Sequence, residues 1–157
     1  MSFKIIIHLS VASMAFIFSA LASWYEGSKI LDVSWEWKHT AIFSEMLNGP
    51  VKQASDILTI DYFVYAAKFL PTFPLIMLFS STYILVLLGY ILLKRNDKLF
   101  SYFLISIGVI FLVLSGFVSN SPTIGLKCFF ISFLLLGMIS IVIALNRFIN
   151  NKTSEIY

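Results

Sequence analysis

Four long apolar runs alternate with polar segments along the chain. They cover about residues 3–25, 72–93, 99–119 and 126–148. A transmembrane helix needs roughly 20 consecutive, mostly apolar residues, and each run is about that long. The pattern therefore predicts four membrane-spanning helices.

A short charged loop, residues 94–98, separates the second and third runs and sets the predicted orientation. It contains three basic residues and one acid. Short loops rich in Lys and Arg stay on the cytoplasmic side of a membrane. Lys4 is basic, and the inner end of the fourth run with the predicted tail, residues 149–157, carries Arg147 and Lys152 against Glu155. Four spans therefore place both termini in the cytoplasm.

The third and fourth runs are joined by residues 120–125 alone, which predicts two antiparallel neighbouring helices. Small residues such as Gly108 and Gly137 permit close helix contact in lipid. The predicted fold is an all-α membrane protein, an antiparallel four-helix transmembrane bundle with a small extracytoplasmic cap.

The first run has a second interpretation as a cleaved signal peptide. Ala20-Leu21-Ala22 fits the small-x-small rule of signal peptidase, and Lys4 supplies a basic amino-terminal region. The apolar part exceeds the roughly 7–15 residues of a usual signal sequence. We expect the run to be retained, with removal of residues 1–22 as the alternative.

The segment from residue 26 to residue 70, called the cap below, has a different character. It combines six acids with four lysines and contains the turn Asn48-Gly49-Pro50. Because residues 94–98 are predicted to be cytoplasmic, the cap is predicted to be extracytoplasmic. Residues 40–47 and a segment starting at Ser55 or Asp56 are predicted to be short helices.

Aromatic residues of the cap are the candidate contacts with a partner or with lipid. Val33, Trp35 and Trp37 alternate with polar residues, which is typical of a short strand. Tryptophans near a membrane are also typical interfacial anchors, and a single strand has no partner here. We favour an anchor or lid over a strand. The candidate contact residues are Trp35, Trp37, Tyr62 and Tyr65.

Composition agrees with a membrane location and argues against a nucleic-acid partner. The chain is 59% hydrophobic and 12% charged, whereas a soluble domain carries about 25% charged residues. The net charge of +3 arises from bases at the ends of the apolar runs, which is a topology signal. The single cysteine, Cys128, excludes an internal disulfide.

The sequence predicts no catalytic, cofactor-binding or metal-binding residue. The later apolar runs lack ionisable side chains at membrane depth, where ion pumps and proton-coupled transporters need them. His8 and His39 lie at opposite sides of the predicted membrane, which excludes a bis-histidine haem. Glu36, His39 and Glu45 are metal-capable, but no tight ligand spacing joins them.

Lys127 lies at the predicted outer end of the fourth run, where its side chain can reach the interface. Asp61 or Glu26 is a candidate partner for it. Such an ion pair would clamp the cap onto the bundle.

Four segments carry a resemblance to a known family. They are SWYEG at 23–27, WEWK at 35–38, DYFVYAAKF at 61–69 and SNSPT at 119–123. Together they resemble an uncharacterised family of small four-span membrane proteins from Bacillus and relatives. The resemblance implies a multi-pass protein of the bacterial plasma membrane and implies no activity. The loop layout is similar to that of claudins by analogy only, because the cap has no cysteine.

The leading functional expectation is a non-enzymatic, partner-binding or regulatory accessory protein that acts through its aromatic cap. Its expected partners are membrane lipids, with another membrane or envelope protein as a further candidate. A lipid-binding or lipid-modifying protein with a groove under the cap is the alternative, and a small-molecule transporter is less favoured. A sideways cavity beneath Trp35 and Trp37 would favour the lipid alternative.

Overall fold

The structure, a computed structural model, describes residues 3–154 and is helical throughout, with no β-strand in that part of the chain. The predicted tail residues 155–157 lie outside the described residues. The described residues form seven α-helices, namely α1 (Phe3–Gly27), α2 (Trp37–Thr40), α3 (Ile42–Asn48), α4 (Thr59–Phe69), α5 (Thr72–Leu93), α6 (Asp97–Val118) and α7 (Ile124–Ser154). Short 3-10 helices at Ser28–Asp32, Ser34–Glu36 and Ala54–Asp56 complete the described helices.

Within residues 3–154, four helical segments are long and apolar enough to cross a membrane, as the sequence predicted. They are Phe3–Asp32, Thr72–Leu93, Asp97–Val118 and Ile124–Ile149. The first segment is longer than the apolar run because the 3-10 helix at Ser28–Asp32 follows α1 directly. The all-α class and the four long apolar helices are therefore confirmed.

The start of α6 is determined by its capping residue. The side-chain oxygen of Asn96 accepts a hydrogen bond from the backbone N–H of Leu99 at 3.1 Å. Asp97 follows in the first turn, where a negative charge is favourable at the positive end of the helix dipole. These two residues explain why the charged loop ends at this position.

The described chain forms two compact units. The first contains residues 3–81 and 123–126, and the second contains residues 82–122 and 127–154. The cap, α1 and the start of α5 belong to the first unit. The rest of α5, α6 and nearly all of α7 form the second.

In the first unit α1 packs closely against α4. A Cβ atom on Gly27 would lie 1.9 Å from the backbone oxygen of Tyr62, so only glycine permits this approach. The segment before α7 is equally close, since a Cβ on Gly125 would lie 2.1 Å from the carbonyl oxygen of Ala67. The absence of a side chain at these two glycines thus allows the backbone of α4 to lie against its neighbours.

The cap has its own buried cluster, which explains how so short a segment keeps a defined shape. Ile30, Ala41, Ile57 and Tyr62 form its centre. Partly buried side chains pack around this centre, namely Leu31, Trp37, Val51 and Tyr65. Burial of these apolar side chains supplies the main favourable term for folding of the cap.

The strand alternative for residues 33–38 is wrong. A 3-10 helix at Ser34–Glu36 leads directly into α2. The indole N–H of Trp37 donates to the backbone oxygen of Ile30 at 2.7 Å, which draws this ring toward the cap's buried cluster. With about three residues per turn, a 3-10 helix also places residues two apart on different sides.

In the second unit, α6 and α7 are in contact through the small residues that the sequence predicted for helix contact. A Cβ on Gly108 of α6 would lie 3.0 Å from the backbone oxygen of Gly137 of α7. Nearer one end of the two helices, Phe100, Leu104 and Ala144 form a buried cluster. Small residues at one level and bulky residues at another allow these helices to pack along their length.

Candidate functional site

The best-defined polar arrangement in the cap is the carboxylate of Asp61, which lies in the first turn of α4 and is fully buried. Its Oδ1 accepts a hydrogen bond from the backbone N–H of Phe43 at 3.0 Å, and its Oδ2 accepts one from Ser44 at 2.8 Å. These N–H groups lie in the first turn of α3, where the helix itself provides no acceptors. Asp61 therefore caps α3 from another helix.

Ser44 extends this link in both directions. Its hydroxyl donates to Oδ2 of Asp61 and accepts a hydrogen bond from the backbone N–H of Leu58 at 2.8 Å. The side chain is fully buried, so each of these bonds replaces water that the site excludes. The position and rotation of α3 are consequently determined by α4.

This orientation of α3 leaves an apolar surface exposed. Ile42, Phe43, Met46 and Leu47 are 47%, 40%, 76% and 74% exposed, and we call them the α3 apolar face. At about 100° per residue these four positions span an arc of about 140° on the helix, and the buried Ser44 lies outside this arc. The cap thus exposes four large apolar side chains on a helix whose orientation is fixed by hydrogen bonds.

A second set of polar contacts holds α2 in place. The Lys68 ammonium donates to Oγ1 of Thr40 at 3.0 Å and to the backbone oxygen of His39. The hydroxyl of Thr40 in turn donates to Oε2 of Glu36 at 3.0 Å. Burial lowers the pKa of Lys68, and the negative charge of Glu36 opposes this shift. Lys68 thereby satisfies acceptors at the end of α2.

The four predicted aromatic contacts lie in different environments. Trp35 is 73% exposed, whereas Trp37 and Tyr65 are partly buried against the cap cluster and Tyr62 belongs to its centre. Burial raises the pKa of the Tyr65 hydroxyl, and the charge of Glu36 raises it further. Trp35 alone of the four presents most of its ring at the surface, and contact with a partner or lipid stays a prediction.

The predicted ion pair of Lys127 with Asp61 or Glu26 also stays a prediction. Lys127 is exposed, and both carboxylate oxygens of Asp61 accept the hydrogen bonds described above. Oε2 of Glu26 is buried, and among the described residues it has no hydrogen-bond partner.

The metal-capable residues of the cap are not brought together. Glu36 accepts the hydrogen bond from Thr40, and Glu45 is exposed on α3. Within the part of the chain that the structure describes, no group of three or more His, Cys, Asp or Glu side chains could hold a metal ion.

Sequence reasoning did not single out the α3 apolar face as a binding surface. A helix was predicted over residues 40–47. The structure has most of it as α3, which begins at Ile42, whereas Thr40 is the last residue of α2. Ser44 and Asp61 are separated by 17 residues, so no local pattern indicates their contact. The only available signal was the pairing of apolar residues at 42–43 and 46–47.

Comparison with known proteins identifies the family of this chain. Residues 6–93, more than half of the chain, match a family described as a domain of unknown function, DUF4306. The chain belongs to the DUF4306 family. The uncharacterized protein YjdJ of Bacillus subtilis (strain 168) is 34% identical over 86 residues, which cover 54% of this chain and 79% of YjdJ. No solved structure matches this chain.

The family match confirms the expected uncharacterised Bacillus-type family. The DUF4306 region takes in nearly all of α1, the whole cap and α5. It therefore includes the α3 apolar face, Asp61 and Ser44. The helices α6 and α7 lie outside the matched residues.

Proposed function

We propose that this DUF4306 protein is a non-enzymatic, accessory or regulatory protein of the bacterial plasma membrane that binds a protein partner through its cap. In this proposal the four long helices form an antiparallel bundle, both termini are cytoplasmic and the cap is extracytoplasmic. The observation that carries the proposal is the α3 apolar face, exposed on a helix held by Asp61.

The fixed orientation of α3 favours binding to a protein. Phe and Met side chains are enriched in the cores of protein interfaces, and both occur on the α3 apolar face. A surface that is already ordered loses less conformational entropy on association. The buried hydrogen bonds from Asp61 to the start of α3 supply this order before a partner arrives.

The charge of α3 argues against lipid headgroups as the ligand of this face. Helices that lie in a membrane interface usually carry Lys or Arg on their polar side, which attracts anionic lipids. The segment Ile42–Asn48 has neither and contains the exposed acid Glu45. We therefore assign the face to an apolar groove on another membrane or envelope protein, with a basic residue at the groove's rim opposite Glu45.

The alternatives have less support. A lipid groove under the cap would need a cavity beneath Trp35 and Trp37, but the ring of Trp37 packs against the buried cluster around Ile30. A transporter coupled to ions or protons would need ionisable groups at membrane depth, and the apolar runs after residue 72 lack charged side chains over most of their length.

Site-specific photocrosslinking in living cells tests the proposal. A benzophenone side chain at Met46 should form an adduct with one protein partner, and the same group at exposed Ala54 should not. Leu47→Asp should abolish the adduct because it places a charge in the centre of the apolar contact. Adducts with phospholipid alone, with a second copy of the chain alone, or equally at both positions would contradict the proposal.

A further inference from the structure

An apolar pocket of about 230 Å³ lies in the second unit, between α5, α6 and α7. Val86 and Leu87 of α5, Leu104 of α6 and Ile143 of α7 are among the residues that line it. The lining positions of α5 and α6 lie in the halves of these helices next to residues 94–96, which connect them. No residue of the cap lines the pocket.

One positively charged side chain lines this apolar pocket. The guanidinium of Arg147, on α7, also lines it, and its Cζ lies 4.8 Å from the ring centroid of Phe100. Its Nη1 donates to Oδ1 of Asp97 at 3.0 Å, and both of these side chains are partly exposed. A guanidinium has five N–H donors, so one contact with Asp97 leaves capacity for a second anion.

The surrounding charge favours an anionic ligand. Residues 94–98, where α5 ends and α6 begins, contain Asp97 as their single acid together with Lys94, Arg95 and Lys98, all of them exposed. A basic cluster beside an apolar pocket between membrane helices, on the predicted cytoplasmic side, is a typical place for an anionic lipid headgroup. An uncharged lipid would contact only the apolar pocket, and a small polar anion would contact only the basic side chains. An anionic lipid would contact both.

We propose that this pocket binds one acyl chain of an anionic phospholipid whose phosphate is held by Arg147. The apolar lining accepts the chain, and burial of its CH₂ groups stabilises the complex. The stack of Arg147 on Phe100 holds the guanidinium at the pocket. The site uses no cap residue, so it goes beyond the proposed partner-binding function.

Asp97 has a defined part in this site. Without bound lipid, its carboxylate accepts the hydrogen bond from Nη1 of Arg147. Its negative charge also repels an approaching phosphate. Removing its charge should therefore strengthen lipid binding. A purely structural ion pair would give the opposite result, because its loss would loosen the helix ends that form the pocket.

The test uses the full chain in mild detergent, with lipid binding measured by native mass spectrometry. Phosphatidylglycerol and phosphatidylcholine with identical acyl chains serve as probes. We expect at least a tenfold preference for phosphatidylglycerol, and Arg147→Gln should abolish this preference. Arg95→Gln is the matched control, since Arg95 does not line the pocket and its removal takes the same charge from the nearby surface; the loss of affinity should be much smaller than in Arg147→Gln.

Two further variants keep the test decisive if Arg147→Gln folds poorly. Asp97→Asn should raise the affinity for phosphatidylglycerol severalfold, and Ile143→Trp should lower the affinity for both lipids by filling the pocket from a partly exposed position. Equal binding of the two lipids, equal losses in Arg147→Gln and Arg95→Gln, reduced binding in Asp97→Asn, or unchanged binding in Ile143→Trp would overturn the proposal.

Discussion

The substitution Asp61→Asn tests the hydrogen bonds that hold α3. An amide has one acceptor oxygen, whereas Asp61 uses both carboxylate oxygens to accept from Phe43 and Ser44. One buried backbone N–H would then face the NH₂ group, at a cost of about 1–3 kcal/mol. Loss of the negative charge weakens the remaining bonds as well, so we expect local destabilisation of about 2–4 kcal/mol.

Hydrogen–deuterium exchange measures this loss directly. Each 1.4 kcal/mol is a factor of ten, so the amides of Phe43 and Ser44 should exchange about 30-fold to several hundred-fold faster. Asp56→Asn is the matched control, because Oδ2 of Asp56 also accepts two backbone N–H bonds but at an exposed turn where water can replace them. Equal acceleration of α3 exchange in both variants, or none in Asp61→Asn, would refute the capping role.

Two other predictions concern packing and pH. Gly27→Ala should lower the thermal stability in detergent, at a cost of about 1–3 kcal/mol or more, because its Cβ would overlap the backbone of α4. Gly116→Ala, with no atom within 4 Å of its Cβ, should be neutral or slightly stabilising, and equal melting temperatures would count against close α1–α4 packing. Backbone N–H donors lower the pKa of Asp56 from 3.8, so protection of the turn's amides should be present above this value and lost as the pH falls through the lowered pKa. Protection that persists in strong acid would contradict this.

The long helices could be predicted because their signal is local. A run of about 20 apolar residues in a chain that must satisfy every backbone N–H and C=O in lipid has one solution, a helix. The same reasoning located the charged loop and the small residues at Gly108 and Gly137. None of these features depends on contacts between distant parts of the chain.

The cap could not be predicted in the same way, because its shape depends on contacts across many residues. Asp61 reaches back 17 residues to Ser44, and Lys68 reaches back 28 residues to Thr40. The alternation around Trp35 and Trp37 favoured a strand pattern or interfacial anchors, yet the contact of Trp37 with Ile30 places its ring in the cap's interior. The Arg147–Asp97 pair joins residues 50 apart in the same manner.

The orientation of the chain in the membrane is the central claim, and cysteine labelling in living cells tests it most directly. In a Cys128→Ser background, Ser55→Cys reports on the cap and Asn96→Cys reports on the loop between α5 and α6, with all loop charges retained. A membrane-impermeant maleimide should label the Ser55→Cys protein in intact cells and the Asn96→Cys protein only after lysis. Labelling of Asn96→Cys in intact cells, with Ser55→Cys protected until lysis, would contradict the account.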